Sequence, residues 1–575
     1  MKMKTAKTGK VIPFSQTASF YRKRGEKELE KNDLIAAIHK YREAYERAPE
    51  DPEISIALAE ILSQMQRFEE SNRILLQLMA SDQELPPEVH FGLACNYFGL
   101  QDYDCAADSL EDYLDEEPDG PFAADAEDFL DLIDDDDAMY ETTGLKTDDD
   151  YEDNAVCRFA RSLLASGDVG FAVEELEHRI GQKPDSVKVR EQLSIAYFCD
   201  NRRADAERVA NQLLAENPND VLAICTLALG DLDAGNQPAA LEKLERLSQI
   251  RTSEPEELHS IAVLQMDLQR YEEAEKTLSQ LIVQMPYDEN VLHKSGYVKF
   301  MRGDAEGARA CYQKLLKIDP HDTVARYYLS LCRHTDGSAK NVSARWMIPY
   351  QVPFGEAFRR LNHINRALTQ PQEELYHTWA TDAYYRDLIV WAISLSDIRV
   401  KKSMLSLVFT FGDHEAERVL RDFLLRTDQP DDLKRAVFGM LRHMDAKEPY
   451  RAYLNGRWIS GRVNMLELDY KMPASYEGVM QVLLQFMLGN CREECANEAA
   501  RIFRRYIESL NRKFPRISAL QEVSFAAALE YLGLKNCGEE VTEEEIGEIY
   551  RVSNSRLRNA ILKLAPFAKP PKEEV

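Results

Sequence analysis

A small residue returns every 34 positions through the first part of this 575-residue chain. Ala172, Ala206, Ala240, Ala274 and Ala308 are each 34 apart; upstream, Ala37 and Ser71 keep the same spacing and Ala106 follows one residue late. Around each lies a common frame. A turn residue (Asn32, Gly167, Asn201, Gly235, Gly303) separates two apolar-periodic stretches, and a proline often closes the unit: Pro49, Pro118, Pro184, Pro218, Pro286, Pro320. Two short amphipathic helices fit in that length. A side chain no larger than a methyl or hydroxymethyl where they cross lets the backbones approach closely.

The frame is clearest in LSIAYFCDNRRADAERVANQLLAENP (193–218) and SGYVKFMRGDAEGARACYQKLLKIDP (295–320). It resembles the tetratricopeptide repeat, a helix-turn-helix unit of this length. Eight units begin near residues 18, 52, 87, 153, 187, 221, 255 and 289, and TVARYYLSLCRH (323–334) reads as a capping helix. The resemblance implies an all-α superhelical solenoid. Residues 1–17 form a basic tail; 18–133 hold units one to three plus a capping helix with Phe122, Ala126, Phe129 and Leu130 on one face; 153–338 hold units four to eight plus their cap. Residues 134–152 are expected to form an acidic hinge. Asp134 to Asp137 are consecutive and no glycine follows at the spacing a calcium loop needs.

In this family the first helix of each unit lines the concave face. Carried over, that frame puts Arg161, Ile195, Leu229, Val263 and Tyr297 in the groove of units four to eight, with Leu164, Phe198, Leu232, Met266 and Phe300 one turn on. This is an apolar and aromatic strip, suited to a helix or an extended apolar segment of a protein or peptide partner, or to the chain's own C-terminal part. The basic clamp that would hold a peptide carboxylate is absent, since units one and three offer Arg22, Glu26, Phe91 and Cys95. His259 and His293 fall at groove positions one unit apart. Stacked units separate such residues by roughly 9–10 Å, too far for one metal ion, so ordinary polar lining is expected.

Beyond a connecting segment, 339–380, residues 381–472 read as paired helices with a hairpin. DIRVKKSMLSLVFTFG (397–412), DHEAERVLRDFLLRT (413–427) and PDDLKRAVFGMLRHMD (430–445) resemble HEAT-type repeats in their Asp starts, the early basic pair and the break at Gly412-Asp413. In PYRAYLNGRWISGRV (449–463), Asn455-Gly456 between alternating apolar residues predicts a two-residue hairpin turn. Residues 473–566 form a further helical domain, and 567–575 a tail. FAAALEYLGL, VTEEEIGEIY and VSNSRLRNAILKL resemble one cyclin-type repeat of the transcription factor B family, without the second repeat or zinc ribbon of that family. Thr542 and Glu545 predict a capping box, and Asn554, Arg556 and Arg558 would be the DNA contacts of the implied helix-turn-helix.

Charge argues the other way. The chain carries a net charge of −28, of which residues 1–339 hold −30 and residues 340–575 hold +2. The first part would be repelled by a polyanion; the second would not. The ten cysteines include no Cys-x-x-Cys, and Cys491 and Cys495 sit at helical spacing, as reduced thiols on helix faces would. No run of about 18 apolar residues offers a membrane span, and the N-terminus lacks the apolar core of a signal peptide, so a cytoplasmic location is expected. No metalloprotease, phosphate-loop, nucleophile-elbow or dinucleotide motif is present. The expectation is a non-enzymatic interaction scaffold without cofactor or metal. A DNA-binding regulator that uses the repeats as its partner-binding or sensor arm is the alternative.

Overall fold

The computed structural model describes residues 17–80, 85–134, 148–334, 352–454, 456–461, 472–487, 493–510, 512–539 and 541–568. Among them lie 29 helices and one two-stranded sheet. Helix pairs build the repeats: α1 (Ala18–Leu29) with α2 (Leu34–Tyr45), α3 (Pro52–Gln64) with α4 (Phe68–Leu78), and α5 (Glu88–Gly99) with α6 (Tyr103–Glu116). After α7 (Ala123–Asp134) come α8 (Asp148–Ser166) with α9 (Val169–Gln182), α10 (Val187–Cys199) with α11 (Arg203–Glu216), and α12 (Val221–Asp233) with α13 (Gln237–Leu247). Then follow α14 (Pro255–Asp267) with α15 (Tyr271–Gln284), α16 (Glu289–Met301) with α17 (Ala305–Ile318), and α18 (Thr323–His334).

The small residues of the 34-residue period are all buried, from Ala37 and Ser71 to Ala308. Close approach is also required one helix earlier. A Cβ on Gly296 would lie 2.7 Å from the ring of Tyr312, so the bare backbone of α16 is what lets that tyrosine pack against it. Asp33, Asp51, Ser186, Asp220, Asp288 and Asp304 each accept a backbone N–H from the first turn of a helix, satisfying one of its orphan donors.

The chain divides into two compact units: one from 1–138 and 252–353, the other from 139–251 and 354–575. The division falls inside the stretch 153–338 that the sequence groups as one array. In the first unit, α7 covers the open side of repeat 3. Phe122 stacks on Phe91 at 4.7 Å and its N–H donates to the Tyr113 hydroxyl at 3.1 Å, while Ala126, Phe129 and Leu130 pack beside them. In the same unit α2 of repeat 1 packs against α17 of repeat 8.

The second unit joins repeats 4–6 to α19 (Phe354–Leu368), α20 (Gln372–Thr381), α21 (Ala383–Ser394), α22 (Ile398–Phe411), α23 (His414–Leu425) and α24 (Asp431–His443). Gly412, at φ 64°, ends α22, and Asp413 caps α23 while accepting the Trp379 indole N–H at 2.9 Å. The hairpin β1 (Tyr450–Leu454) and β2 (Arg457–Gly461) pairs Leu454 with Arg457, leaving a two-residue turn. Then come α25 (Ala474–Met487), α26 (Glu493–Ser509), α27 (Ala519–Asn536), α28 (Glu543–Ile549) and α29 (Asn554–Ala568). Helix α27 packs against α25, α26 and α29, with Ala526, Ala527, Ala528 and Leu529 fully buried.

Most of the expected acidic hinge, 135–147, lies outside the described residues, as does Cys491; residues 148–152 are the first turn of α8.

Candidate functional site

The predicted strip divides between the two units. In the second, Ile195 and Phe198 on α10 and Leu229 and Leu232 on α12 are half-buried, and the two helices pack side by side. Phe198 is covered on one face. The Arg203 guanidinium sits 3.8 Å from its ring centroid and is held there by Asp233 at 2.9 Å. A cation over an aromatic face is worth about 0.5–1 kcal/mol at such a part-exposed site.

In the first unit only Val263 stays half-buried. Met266, Tyr297 and Phe300 keep 7%, 5% and 3% of their surface and are core residues. Helix α16 is enclosed nearly all round, from Val291 to Val298 and again at Phe300. The repeat frame fixes which way a side chain leaves its helix; it says nothing of what then covers it.

The groove histidines do not converge on a common point. His259 Nε2 lies 2.7 Å from Lys294 Nζ, whereas His293 Nε2 lies 2.6 Å from Asp322. Burial, and then the Lys294 charge, push His259 down to about 4; burial also brings Lys294 down to about 8 against the pull of Asp288. His259 is therefore neutral at pH 7 and accepts a hydrogen bond from the ammonium. No cluster of three or more metal-ligating side chains occurs among the described residues.

Sequence reasoning missed a charge network in the first unit. Glu70 binds Arg42 at 2.6 Å and Arg67 at 2.5 Å, and Arg67 reaches Glu289 at 2.6 Å, 222 residues away. His321 meets Glu46 at 3.1 Å beside it. Burial alone would raise the Glu70 carboxyl, but Arg42 and Arg67 outweigh it and hold it well below the usual range. Asp319, half-buried nearby, is pushed up to about 6 by burial; Arg42 opposes this, and Glu289, Asp322 and Glu70 reinforce it. Arg67–Glu70 is a local i,i+3 pair, but no local pattern announces Arg67–Glu289 or Glu46–His321, whose partners come from opposite ends of the repeat array.

In the C-terminal domain Thr542 and Glu545 close the capping box, and a tight turn follows, with the Val552 carbonyl and the Asn554 side chain close over Gly547. Asn554, Arg556 and Arg558 are exposed. Arg558 is bound to Glu543 of α28 at 2.6 Å. An acid therefore occupies one of the two arginines expected to meet phosphate or base.

Paired helices at a 34-residue period, with large apolar side chains on the first helix of each pair, define a helical-repeat protein. Residues 28–94 and 290–322 match family models described as Tetratricopeptide repeat, and the chain carries tetratricopeptide repeats. It is similar to the TPR repeat-containing protein YvcD of Bacillus subtilis (strain 168), 28% identical over 276 residues, 47% of this chain and 55% of that protein. The match thus spans about half of the relative's length. Among solved structures it is similar to a tetratricopeptide repeat protein from Parabacteroides merdae (15% identity, 55% of this chain, 98% of that chain, TM-score 0.20). It is also similar to the human IFIT1 dimer with m7Gppp-AAAA (12% identity, 66% of this chain, 92% of that chain, TM-score 0.30). No described helix is long and apolar enough to cross a membrane.

Proposed function

We propose that this chain is a protein-interaction scaffold that captures an apolar partner segment on the inner helices of repeats 5 and 6. The observation that carries this reading is the pair of half-open positions repeated on neighbouring helices: Ile195 and Phe198 on α10, Leu229 and Leu232 on α12. Large apolar side chains left part-exposed in register on two packed helices favour a helical or extended ligand, which buries them without rearranging the array. Val263 is the remaining part-exposed member of the strip. Met266, Tyr297 and Phe300 have no surface to offer a partner in this conformation.

Selection of displayed peptides on the immobilised full chain tests this. Apolar sequences enriched on the wild type should be lost on Phe198→Glu combined with Leu229→Glu, with far-UV circular dichroism unchanged. Identical enrichment on the variant refutes the reading. Phe300→Glu serves as contrast: it puts a charge into the core and should lower stability by several kcal/mol, so its effect on binding is not specific.

The tight turn between α28 and α29, with Asn554 and Arg556 exposed, favours duplex DNA as a second ligand class. The Arg558–Glu543 bridge and the three acids of the first turn of α28 weigh against it.

A further inference from the structure

We propose that repeats 1 and 8 are joined by a proton-sensitive clasp, in which the turn between α17 and α18 closes on α2 more firmly as the pH falls from about 7.5 to about 5.5.

In a stacked array each repeat touches only its neighbours, so the first and last units ordinarily stand apart. In the first unit of this chain they meet. Helix α2 of repeat 1 packs against α17 of repeat 8. Two charged pairs cross the junction. Arg67, at the start of α4, meets Glu289, at the start of α16, at 2.6 Å. His321, in the turn between α17 and α18, meets Glu46 at the end of α2 at 3.1 Å, 275 residues away in sequence. The pairs differ in kind. Burial disfavours the Arg67 cation, but Glu70 and Glu289 outweigh it, so this pair is permanent. An imidazole changes charge between about pH 5 and 8, so His321 and Glu46 form an ion pair only toward the acid end of that range.

The turn that carries His321 holds two aspartates of opposite behaviour. Asp322 accepts the backbone N–H groups of Val324 and Ala325 at 2.9 and 2.8 Å and meets His293 Nε2 at 2.6 Å. Burial works to raise its carboxyl, but these bonds, led by the one to His293, hold it below the ordinary value and it stays ionised. Asp319 ends α17, where the helix dipole disfavours a negative charge, and accepts the His321 N–H at 2.9 Å. Burial raises its carboxyl; Arg42 of α2 opposes this, and Glu289, Asp322 and Glu70 add like charge. Arg73 of α4 acts on Glu70 from the same side. Burial and Lys40 push His39 of α2 down, with Lys317 assisting and Glu43 and Glu46 opposing, so His39 is not the group that takes up the proton.

Acid therefore acts at two points of one turn. It removes the Asp319 charge from among Glu70, Glu289 and Asp322, and it gives His321 the charge that holds Glu46. A carboxyl raised by the closed junction binds its proton more tightly there, so closing takes up protons and a lower pH favours it.

Hydrogen exchange of the full chain, resolved by peptide and corrected for the intrinsic pH dependence of amide exchange, tests this. Protection of α2 and α17 should rise at least about threefold across that pH range, relative to α27 of the second unit. Asp319→Asn combined with His321→Lys supplies both acid-form charges permanently. That variant should hold the higher protection already at the upper pH, with no further rise on acidification. A flat wild-type profile overturns the proposal. So does a double variant that keeps the wild-type slope, or one that loses protection at the upper pH, as a merely structural role for these side chains predicts. Glu46→Gln should remove the part of the response that His321 supplies and leave the part due to Asp319; a full wild-type response in that variant overturns the role given to His321.

Discussion

Replacing Glu70 with Gln keeps its shape and removes only charge, which makes it the sharpest probe of the first unit. Two unit charges about 4 Å apart attract by about 4 kcal/mol at an effective dielectric near 20. Glu70 serves two guanidinium groups, Arg42 and Arg67, so the gross attraction is about 8 kcal/mol. Desolvation takes back several kcal/mol per buried ion. Removing one partner from such a set costs about 3–5 kcal/mol, because the remaining charges stay buried without compensation. The side chains here keep 14–16% of their surface, so the lower end, about 3 kcal/mol, is expected. At about 1.4 kcal/mol per decade this is roughly a hundredfold. Hydrogen exchange resolved by peptide should show it in α2, α4 and α17, with α27 of the second unit unchanged. A change under about threefold, or an equal change in α27, would refute the reasoning. Replacing the whole set with apolar residues (Arg42→Met, Arg67→Met, Glu70→Leu) should recover most of the loss, as burial without charge carries no such penalty.

The pH dependence of the same unit follows from Asp319. Its carboxyl is raised to about 6 from 3.8, so the stability it contributes is present below about pH 4 and is lost as pH rises through 6. Asp319→Asn should flatten exchange in α17 between pH 4 and 7 by about 1–2 kcal/mol, and an unchanged profile would show that the group ionises freely. The full chain should give no anisotropy change with labelled duplex DNA at about 150 mM salt. A salt-dependent signal abolished by Arg556→Glu would instead promote the helix-turn-helix to a DNA contact.

The turns of the repeats were open to reading because their chemistry is local. Asn32, Gly167, Asn201, Gly235 and Gly303 all take positive φ, from 59° to 92°. Gln66, Gln101 and Gln269 take the same conformation at φ near 60° in the other units, and nothing in a glutamine advertises it. There the packed helices impose the turn on a residue that does not prefer it. The β1–β2 hairpin, whose Asn455 lies outside the described residues, and the Thr542–Glu545 capping box were legible for the same local reason. The strip was only half legible. Helical spacing puts Ile195, Phe198, Leu229, Leu232, Val263, Met266, Tyr297 and Phe300 at equivalent positions, yet three of the eight are enclosed. The burial of Lys401 and Lys434 had no sequence signal; it follows from Gln429 and the Tyr453 carbonyl, groups that come near only in the folded chain.

The interruption between units three and four shows how an array stops without leaving an open side. A repeat buries its faces on its neighbours, so a break exposes one apolar side on each flank. Repeat 3 answers with the helix that follows it: Phe129 of α7 and Phe122 just ahead of it close over Phe91 and Tyr113. The residues directly ahead of repeat 4, 135–147, lie outside the described residues. Its Phe159 is met by a hairpin almost 300 residues downstream. A local cap is fixed by its own short connection. The remote element is fixed by its own packing, since Tyr450, Ala452 and Leu454 of β1 are buried and the Tyr453 carbonyl accepts from buried Lys434.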